Sequence, residues 1–288
     1  MLQFDIYTYQ FTPLVGDPSA DPALFNDLPS AEEVMAGKQI VFQNLFNDDV
    51  DLVFQVGDQI FRHQKLLNCN GIIVLRLANN KQLVQEENFL VRRLVNQPSS
   101  LIVIDNRGNC QNIAIQKNPT AFSSTRQVAA ILQTTFNSLL NPHFLSVEIR
   151  RRLEQNSFWQ IVDRYPEGIK SIRFEFSYPN LPRVSDNVHA LFTEMAKEFG
   201  ANSKYELNAI QGQRLNLSRD NSFLNGLIKA SSDSGHEVKI LPLGGTQWQS
   251  TGTESGITTE MSPDLFDGDQ RLFDDSFEKI TQKMNPFK

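Results

Sequence analysis

The sequence has little cysteine, no long apolar run and none of the common nucleotide-binding or hydrolase motifs. Its two cysteines, Cys69 and Cys110, belong to no paired motif, which predicts free thiols in a reducing compartment. No stretch approaches the roughly 18 apolar residues that a membrane span needs, and MLQFDIYTYQ lacks the basic start and apolar centre of a signal peptide. No phosphate-binding glycine loop, dinucleotide fingerprint or nucleophile elbow is present. We therefore predict a cytoplasmic protein with no membrane partner.

What the sequence does contain is an uneven distribution of charge. The formal net charge is −6, yet residues 1–60 hold one basic and ten acidic residues, and residues 246–288 hold four basic and eight acidic residues. Residues 61–245 hold the remaining 22 basic and 15 acidic residues, a net charge of +7. A cationic body between acidic ends predicts either contacts between these segments or binding to a polyanion.

Turn and spacing signals in the first half predict antiparallel hairpins and one long helix. The Asn70-Gly71 turn lies between two apolar runs, and both of its residues adopt positive φ at low cost. Ser124 precedes apolar residues at helical spacing up to residue 140, which predicts a capped helix. The two hairpins are predicted to pair residues 60–66 with 72–77 and residues 100–105 with 110–117.

Other segments of the first half show weaker patterns. The alternation of apolar and polar residues predicts a strand at residues 2–9, and residues 39–46 and 51–56 look like short strands or strand-like segments. Residues 85–94 are predicted to form a short helix that presents Arg92 and Arg93.

The second half begins with a strand–helix–strand pattern at residues 144–178. Leu145, Val147 and Ile149 alternate with polar residues, and Ile172, Phe174 and Phe176 do so again after a short amphipathic stretch. Further elements are a helix at 186–199, a strand at 204–210, a helix at 217–230 that Ser218 caps, and a strand at 236–241. Short strands alternating with helices predict a small α/β sandwich of the ferredoxin-like kind.

These elements predict an α+β protein of three parts. Residues 1–142 form an antiparallel, hairpin-rich β domain packed with one long helix. Residues 143–245 form the small ferredoxin-like α/β domain. Residues 246–288, which begin with a run of Ser, Thr and Gly, form an acidic, flexible and partly disordered tail.

The densest positive charge in the chain is the triplet Arg150, Arg151 and Arg152 at the end of a predicted strand. The planar fork of arginine donates twice to phosphate, and such contacts position nucleic acid without reading its sequence. Capping of helix C-termini and pairing with the acidic tail are the alternatives. The complete predicted nucleic-acid-binding set is Arg150, Arg151, Arg152, Lys170, Arg173, Arg92 and Arg93.

A second candidate site contains Asp233, Glu237 and Lys239. Nucleases of the PD-(D/E)xK class hold a divalent ion with an Asp and an E-x-K on neighbouring strands, and the Lys polarises the attacked phosphate. Chance and the solvent face of an alternating strand also explain this pattern. The preferred hypothesis has no catalytic residue, no metal and no cofactor. Trp248 is a candidate for stacking on bases, whereas a core or docking role is favoured for Trp159.

The order of elements resembles a known family. SLIVIDNRGNCQNIAI, a helix, FLSVEIRRRL, IKSIRFEFSYPN, KYELNAIQG and HEVKILPL, followed by an acidic tail, look like the RexA-like phage-exclusion proteins and a related uncharacterised bacterial defence family. The resemblance spans residues 100–245 and implies a cytosolic bacterial protein that self-associates, binds duplex DNA with little sequence preference and acts in abortive infection. It carries no catalytic residues over to this chain.

We therefore expect a non-enzymatic nucleic-acid-binding or sensing component of a bacterial anti-phage defence system. The expected partners are double-stranded DNA or another nucleic acid, and either a second copy of the chain or another defence protein. Two alternatives remain: the metal-dependent nuclease described above, and a protein-interaction subunit that docks through its acidic tail at residues 264–280.

Overall fold

The computed structural model describes residues 1–14, 29–108, 110–176, 203–253 and 256–262, together with Lys279, Gln282 and Met284. The fold is mixed α+β, and the chain forms two compact units. Unit 1 comprises Met1–Ile149 and Thr258–Lys288, and unit 2 comprises Arg150–Ile257. None of the described helices is long and apolar enough to cross a bilayer.

The described residues contain fourteen strands and four α-helices. The strands are β1 (Leu2–Pro13), β2 (Phe54–Val56), β3 (Gln59–Cys69), β4 (Ile72–Ala78), β5 (Lys81–Glu87), β6 (Leu90–Asn96), β7 (Ser99–Asp105), β8 (Asn112–Gln116), β9 (Leu145–Arg151), β10 (Ile169–Phe176), β11 (Ser203–Asn208), β12 (Lys239–Pro242), β13 (Gln249–Ser250) and β14 (Thr258–Met261). The helices are α1 (Ala31–Asn44), α2 (Thr125–Leu140), α3 (Asn156–Asp163) and α4 (Ser222–Ser234).

Unit 1 is built on one large sheet with the strand order β14-β1-β8-β7-β4-β3-β2, and β9 also pairs with β1. Its core is rich in aromatic rings because α1 and α2 bring Phe42 and Phe136 against β1. The rings of Phe42 and Phe136 lie edge to face with their centroids 5.0 Å apart. The ring centroid of Tyr9 in β1 lies 5.1 Å from that of Phe42. Such contacts add to the apolar area that the rings bury.

Both hairpins and the long helix of the first half are confirmed. Asn70 and Gly71 have φ of 50° and 78°, and β3 pairs with β4 on either side of them. The second hairpin pairs β7 with β8. At the start of α2, the Ser124 hydroxyl accepts a hydrogen bond from the Gln127 N–H, as an N-cap does.

Two weaker predictions for unit 1 are wrong. Residues 39–46 lie mostly in α1, because a capping box between Ser30 and Glu33 begins a helix that continues to Asn44. Residues 85–94 lie in the hairpin β5–β6 and not in a helix. The turn residues of this hairpin, Asn88 and Phe89, both have positive φ. The dipeptide Asn-Gly predicts such a turn, whereas Asn-Phe does not.

Unit 2 is an antiparallel sheet with the order β11-β10-β12-β13. A ferredoxin-like arrangement is not confirmed, since β9 pairs with β1 of the first sheet and buries Leu145 and Val147 in the core of unit 1. The predicted strand–helix–strand unit is therefore divided between two sheets. The predicted helix at 186–199 lies outside the described residues.

The later elements of the chain also differ from prediction at their ends. Helix α4 begins at Ser222, four residues after Ser218, with Asn221 as its N-cap, and it ends at Ser234, where the C-cap Gly235 has φ 71°. Part of the predicted flexible tail is ordered as β13, a 3-10 turn at Thr251–Thr253 and β14. Residues 263–278 of that tail lie outside the described residues. The predicted domain boundaries follow residues 142 and 245, whereas the boundaries between the two compact units follow residues 149 and 257. The three-domain division stays a prediction.

The aromatic core generates a first prediction. Phe136→Ala removes a ring with no exposed surface, so the free energy of unfolding should fall by about 3–5 kcal/mol. Phe89→Ala is the matched control, since that ring is 94% exposed, and its effect should stay within about 0.5 kcal/mol. Urea denaturation followed by circular dichroism measures both, and equal effects of the two changes would contradict this account of the core.

Candidate nucleic-acid interface

The four-stranded sheet of unit 2 has one apolar and one polar face. Side chains of β10 alternate, so Ile172, Phe174 and Phe176 are buried while Arg173 and Glu175 are partly exposed. The apolar face packs with residues of α3 and α4 in one core cluster, which includes Phe158, Ile161, Leu224, Leu227 and Ile228. The sheet is therefore supported from one side, and its other side carries charge.

Residues paired across the strands extend the polar face. Arg173 lies opposite Glu206 of β11 and opposite Lys239 of β12. Glu175 lies opposite Lys204 of β11. We call Arg173, Glu175, Lys204, Glu206, Lys239 and Trp248 the sheet-face cluster.

The charges of this cluster form surface ion pairs. Arg173 Nε donates to Glu206 Oε2 at 2.7 Å, while Lys204 Nζ and Lys239 Nζ lie 3.6 and 3.7 Å from Glu175 Oε1. The hydrogen bond from Arg173, followed by that from Asn208, lowers the pKa of Glu206. Three cations face two carboxylates, so the cluster keeps a net positive charge. Pairs as exposed as these contribute only about 0–1 kcal/mol each and can be exchanged for another anion.

An aromatic ring completes the cluster. The guanidinium carbon of Arg173 lies 4.7 Å from the centroid of the Trp248 ring, a cation–π contact. Trp248 immediately precedes β13, which pairs with β12. A half-exposed indole beside cationic side chains is the combination that stacks on bases and neutralises phosphates in single-strand binding proteins.

The structure places Arg152 of the predicted triplet inside unit 2. This residue is 1% exposed, and its guanidinium forms an ion pair with Asp233 in the last turn of α4. Backbone hydrogen bonds fix the neighbourhood: the Leu153 N–H donates to Ser232 O, and the Ile257 N–H donates to Arg152 O. The Arg152 side chain therefore serves the fold and does not face a ligand in solution.

The other two arginines of the triplet pack against glycines. A Cβ on Gly235 would lie 2.6 Å from Arg150 Cβ, and a Cβ on Gly256 would lie 2.8 Å from Arg151 Cδ. Both arginines are half-buried. Gly235 therefore leaves room for the start of the Arg150 side chain, and Gly256 leaves room for the flexible end of the Arg151 side chain.

The remaining predicted binding residues do not form one group. Lys170 is exposed on β10, three positions before Arg173. Arg92 and Arg93 lie in β6 of unit 1, paired with Gln85 and Val84, and their side chains lie outside the described part of the chain. Of the predicted set, the structure brings Arg173 alone into the sheet-face cluster.

The three residues of the nuclease hypothesis have three different partners. Asp233 pairs with Arg152, Glu237 Oε2 accepts a hydrogen bond from Ser250 Oγ at 2.6 Å, and Lys239 faces Glu175. In the part of the chain that the structure describes, no group of three His, Cys, Asp or Glu side chains is placed to hold a metal ion. The nuclease hypothesis stays a prediction.

Sequence reasoning missed the contribution of β11. Lys204 and Glu206 alternate with apolar neighbours, which marks them as one face of a strand, but only the strand order shows which charges they meet. Trp159 packs on the core of unit 2, with its ring edge to face against Phe158 at 5.0 Å.

The buried ion pair generates a second prediction. Arg152→Ala leaves the Asp233 carboxylate, with a side chain 14% exposed, without its cation, and should lower the free energy of unfolding by about 3–5 kcal/mol. Replacing both residues, as Arg152→Met with Asp233→Leu, should restore most of that stability because no charge stays buried. Arg173→Ala, which breaks an exposed pair, should cost less than about 1 kcal/mol. Urea denaturation measures all three, and a double variant no more stable than Arg152→Ala would contradict this role of the ion pair.

Comparison with models of known protein families finds none that matches this chain, and no curated protein matches it either.

Proposed function

We propose that this chain is a non-enzymatic nucleic-acid-binding or sensing component of a bacterial anti-phage defence system, and that the sheet-face cluster contacts the nucleic acid. The observation that carries the proposal is the placement of Arg173 between Glu206 and the ring of Trp248, with Lys204 and Lys239 on the flanking strands. Cationic and aromatic groups thus share one face of a sheet whose other face is packed.

The electrostatics of the cluster suit an exchangeable ligand. Glu206 and Glu175 pair with the cations in the free protein, and a phosphate replaces a carboxylate partner at little cost. Each phosphate that is bound releases condensed counterions, which makes binding dependent on salt. The indole adds stacking, which every base accepts, so we expect weak sequence preference.

Duplex DNA was the partner implied by the family resemblance, and the sheet-face cluster adds a preference. Aromatic side chains on an open sheet stack on unpaired bases, whereas bases within a duplex are already stacked on each other. We expect single strands to bind more tightly than a duplex of the same length.

The cellular part of the proposal rests on the resemblance alone. A cytoplasmic location, abortive infection as the outcome, and assembly as a homodimer or with another defence protein are retained as proposals on that basis. The acidic tail proposed to dock on a partner lies largely outside the described residues.

The third prediction tests the interface by fluorescence anisotropy with labelled single-stranded and duplex DNA over a range of salt. The wild-type chain should bind at low salt and weaken steeply as salt rises. Arg173→Ala should weaken binding to all sequences about equally. It should also reduce the slope of log K against log salt by about 0.7–0.9, because one phosphate is no longer neutralised. Trp248→Ala should weaken single-strand binding more than duplex binding.

Two further variants sharpen this test. Glu206→Gln removes a carboxylate that competes for Arg173, so it should strengthen binding, opposite in sign to Arg173→Ala. Arg126→Ala, an exposed arginine of α2 in unit 1, is the control of equal charge change and should behave as the wild type. An absence of binding at low salt, or equal weakening in Arg126→Ala and Arg173→Ala, would overturn the proposed interface.

A further inference from the structure

Unit 2 contains a pocket of about 620 Å³ beside the start of β10. This volume lies within the range of small-molecule sites, about 300–1,000 Å³. Its apolar lining comes from Val162, Ile169, Leu215 and Leu217. The other lining residues are Asp163, Tyr165, Pro166, Gly168, Arg214 and Asn216.

The backbone of the pocket is held by three hydrogen bonds. The Gly168 N–H donates to Tyr165 O, the Leu215 N–H donates to Ile169 O, and the Leu243 N–H donates to Gly168 O, all at 2.9 Å. The first bond closes the turn at residues 165–168, and the other two join residues 215 and 243 to the backbone at the start of β10. A backbone tied in this way favours a preformed pocket, which would reduce the entropic cost of binding.

Gly168 positions the arginine at the rim. It has φ of 111°, and a Cβ at this place would lie 2.6 Å from Arg214 Cδ and 2.8 Å from Arg214 Cβ. The aliphatic part of the Arg214 side chain therefore packs directly against Gly168. Arg214 Nη1 donates to Pro166 O at 3.4 Å, a long bond, and its guanidinium has no carboxylate partner among the described residues. A guanidinium offers five N–H donors, so most of its capacity is available to a ligand.

The charge at the rim is positive. Asp163, the acidic lining residue, already accepts a hydrogen bond from Arg219 Nη2 at 2.7 Å. Arg219 is held in place by Trp159, whose ring centroid lies 4.9 Å from its guanidinium carbon. Glu167 is exposed and does not line the pocket. Because Asp163 is already paired with Arg219, the positive charge of Arg214 is available to an anionic group of a ligand.

We propose that this pocket binds a nucleoside phosphate, with the phosphate on Arg214 and the base on the apolar floor beside Tyr165. Tyr165 is a partly buried aromatic residue of the lining, and an aromatic ring can stack on a base, while the amide of Asn216 can donate to and accept from the edge of a base, as Asn does with adenine. The planar fork of Arg214 matches two phosphate oxygens. The nucleoside phosphate is either a free nucleotide or one nucleotide of a strand.

The pocket does not depend on the sheet-face interface. Its residues are different from those of the sheet-face cluster, although Ile169 and Arg173 belong to the same strand, β10. A free nucleotide would bind the pocket whether or not nucleic acid binds the sheet face.

Isothermal titration of the full chain with AMP, GMP, CMP and UMP tests the proposal, with adenosine and inorganic phosphate as partial ligands. At least one nucleotide should bind more tightly than either partial ligand. Arg214→Ala should weaken nucleotide binding at least about tenfold, because a hydrogen-bonded charge is removed. Arg214→Lys should recover only part of the affinity, since lysine keeps the charge but lacks the planar fork. Arg126→Ala should bind as the wild type.

Competition between the same nucleotide and a labelled single strand identifies the source of the ligand. Displacement of the strand by the nucleotide shows that a strand places a nucleotide in the pocket, and binding of both together shows a site for free nucleotide. Either result supports the proposal. It is overturned if no nucleotide binds at millimolar concentration, or if Arg214→Ala binds as the wild type. Strand binding without nucleotide binding would contradict the pocket proposal and leave the proposed sheet-face interface standing. Nucleotide binding without strand binding would contradict the sheet-face interface alone.

Discussion

The buried pair of Arg152 and Asp233 constrains the interior of unit 2, because neither residue can lose its partner alone without leaving a buried charge. A guanidinium removed from water requires a partner charge, and the last turn of α4 supplies it. Arg152 Nε and Nη1 are buried with no hydrogen-bond partner among the described residues, which adds to the cost of burying the guanidinium that the pairing of Nη2 with Asp233 offsets. The pair holds the beginning of unit 2 against the end of α4, and the backbone bonds of Leu153 and Ile257 reinforce it. Arg152, one residue of the triplet that looked most like a ligand site in the sequence, is thus a part of the scaffold.

Strand β10 contributes to both the core of unit 2 and its charged sheet face. Its even-numbered residues from Ile172 to Phe176 close the core, while Arg173 and Glu175 organise the charges of the neighbouring strands. The strand also begins at the pocket, where Ile169 contributes to the floor. Alternation along one strand therefore supplies the support for both candidate binding surfaces.

The sequence was sufficient where a local signal decides the structure. Asn70-Gly71 specifies a hairpin and Ser124 specifies a helix start, since each acts through its own backbone or side chain. The sequence was insufficient where contacts with residues distant in the chain determine the structure. The alternation of Leu145, Val147 and Ile149 predicts a strand, but no local signal indicates that these residues pack in the core of unit 1. The candidate site follows the same rule. Trp248 was recognisable by its chemistry, whereas the burial of Arg152 and the encounter of Arg173 with Glu206 depend on strand order.

The pairing of the first strand with the last bears on how the molecule is made. Residues 2–5 of β1 pair with residues 258–261 of β14, so the opening strand of unit 1 has a neighbour that is synthesised more than two hundred residues later. During translation that backbone edge stays without this neighbour while the whole of unit 2 emerges from the ribosome. Sheet edges left open in this way are prone to wrong pairings. The nascent chain therefore carries an unpaired segment of β1, at residues 2–5, until β14 has been synthesised.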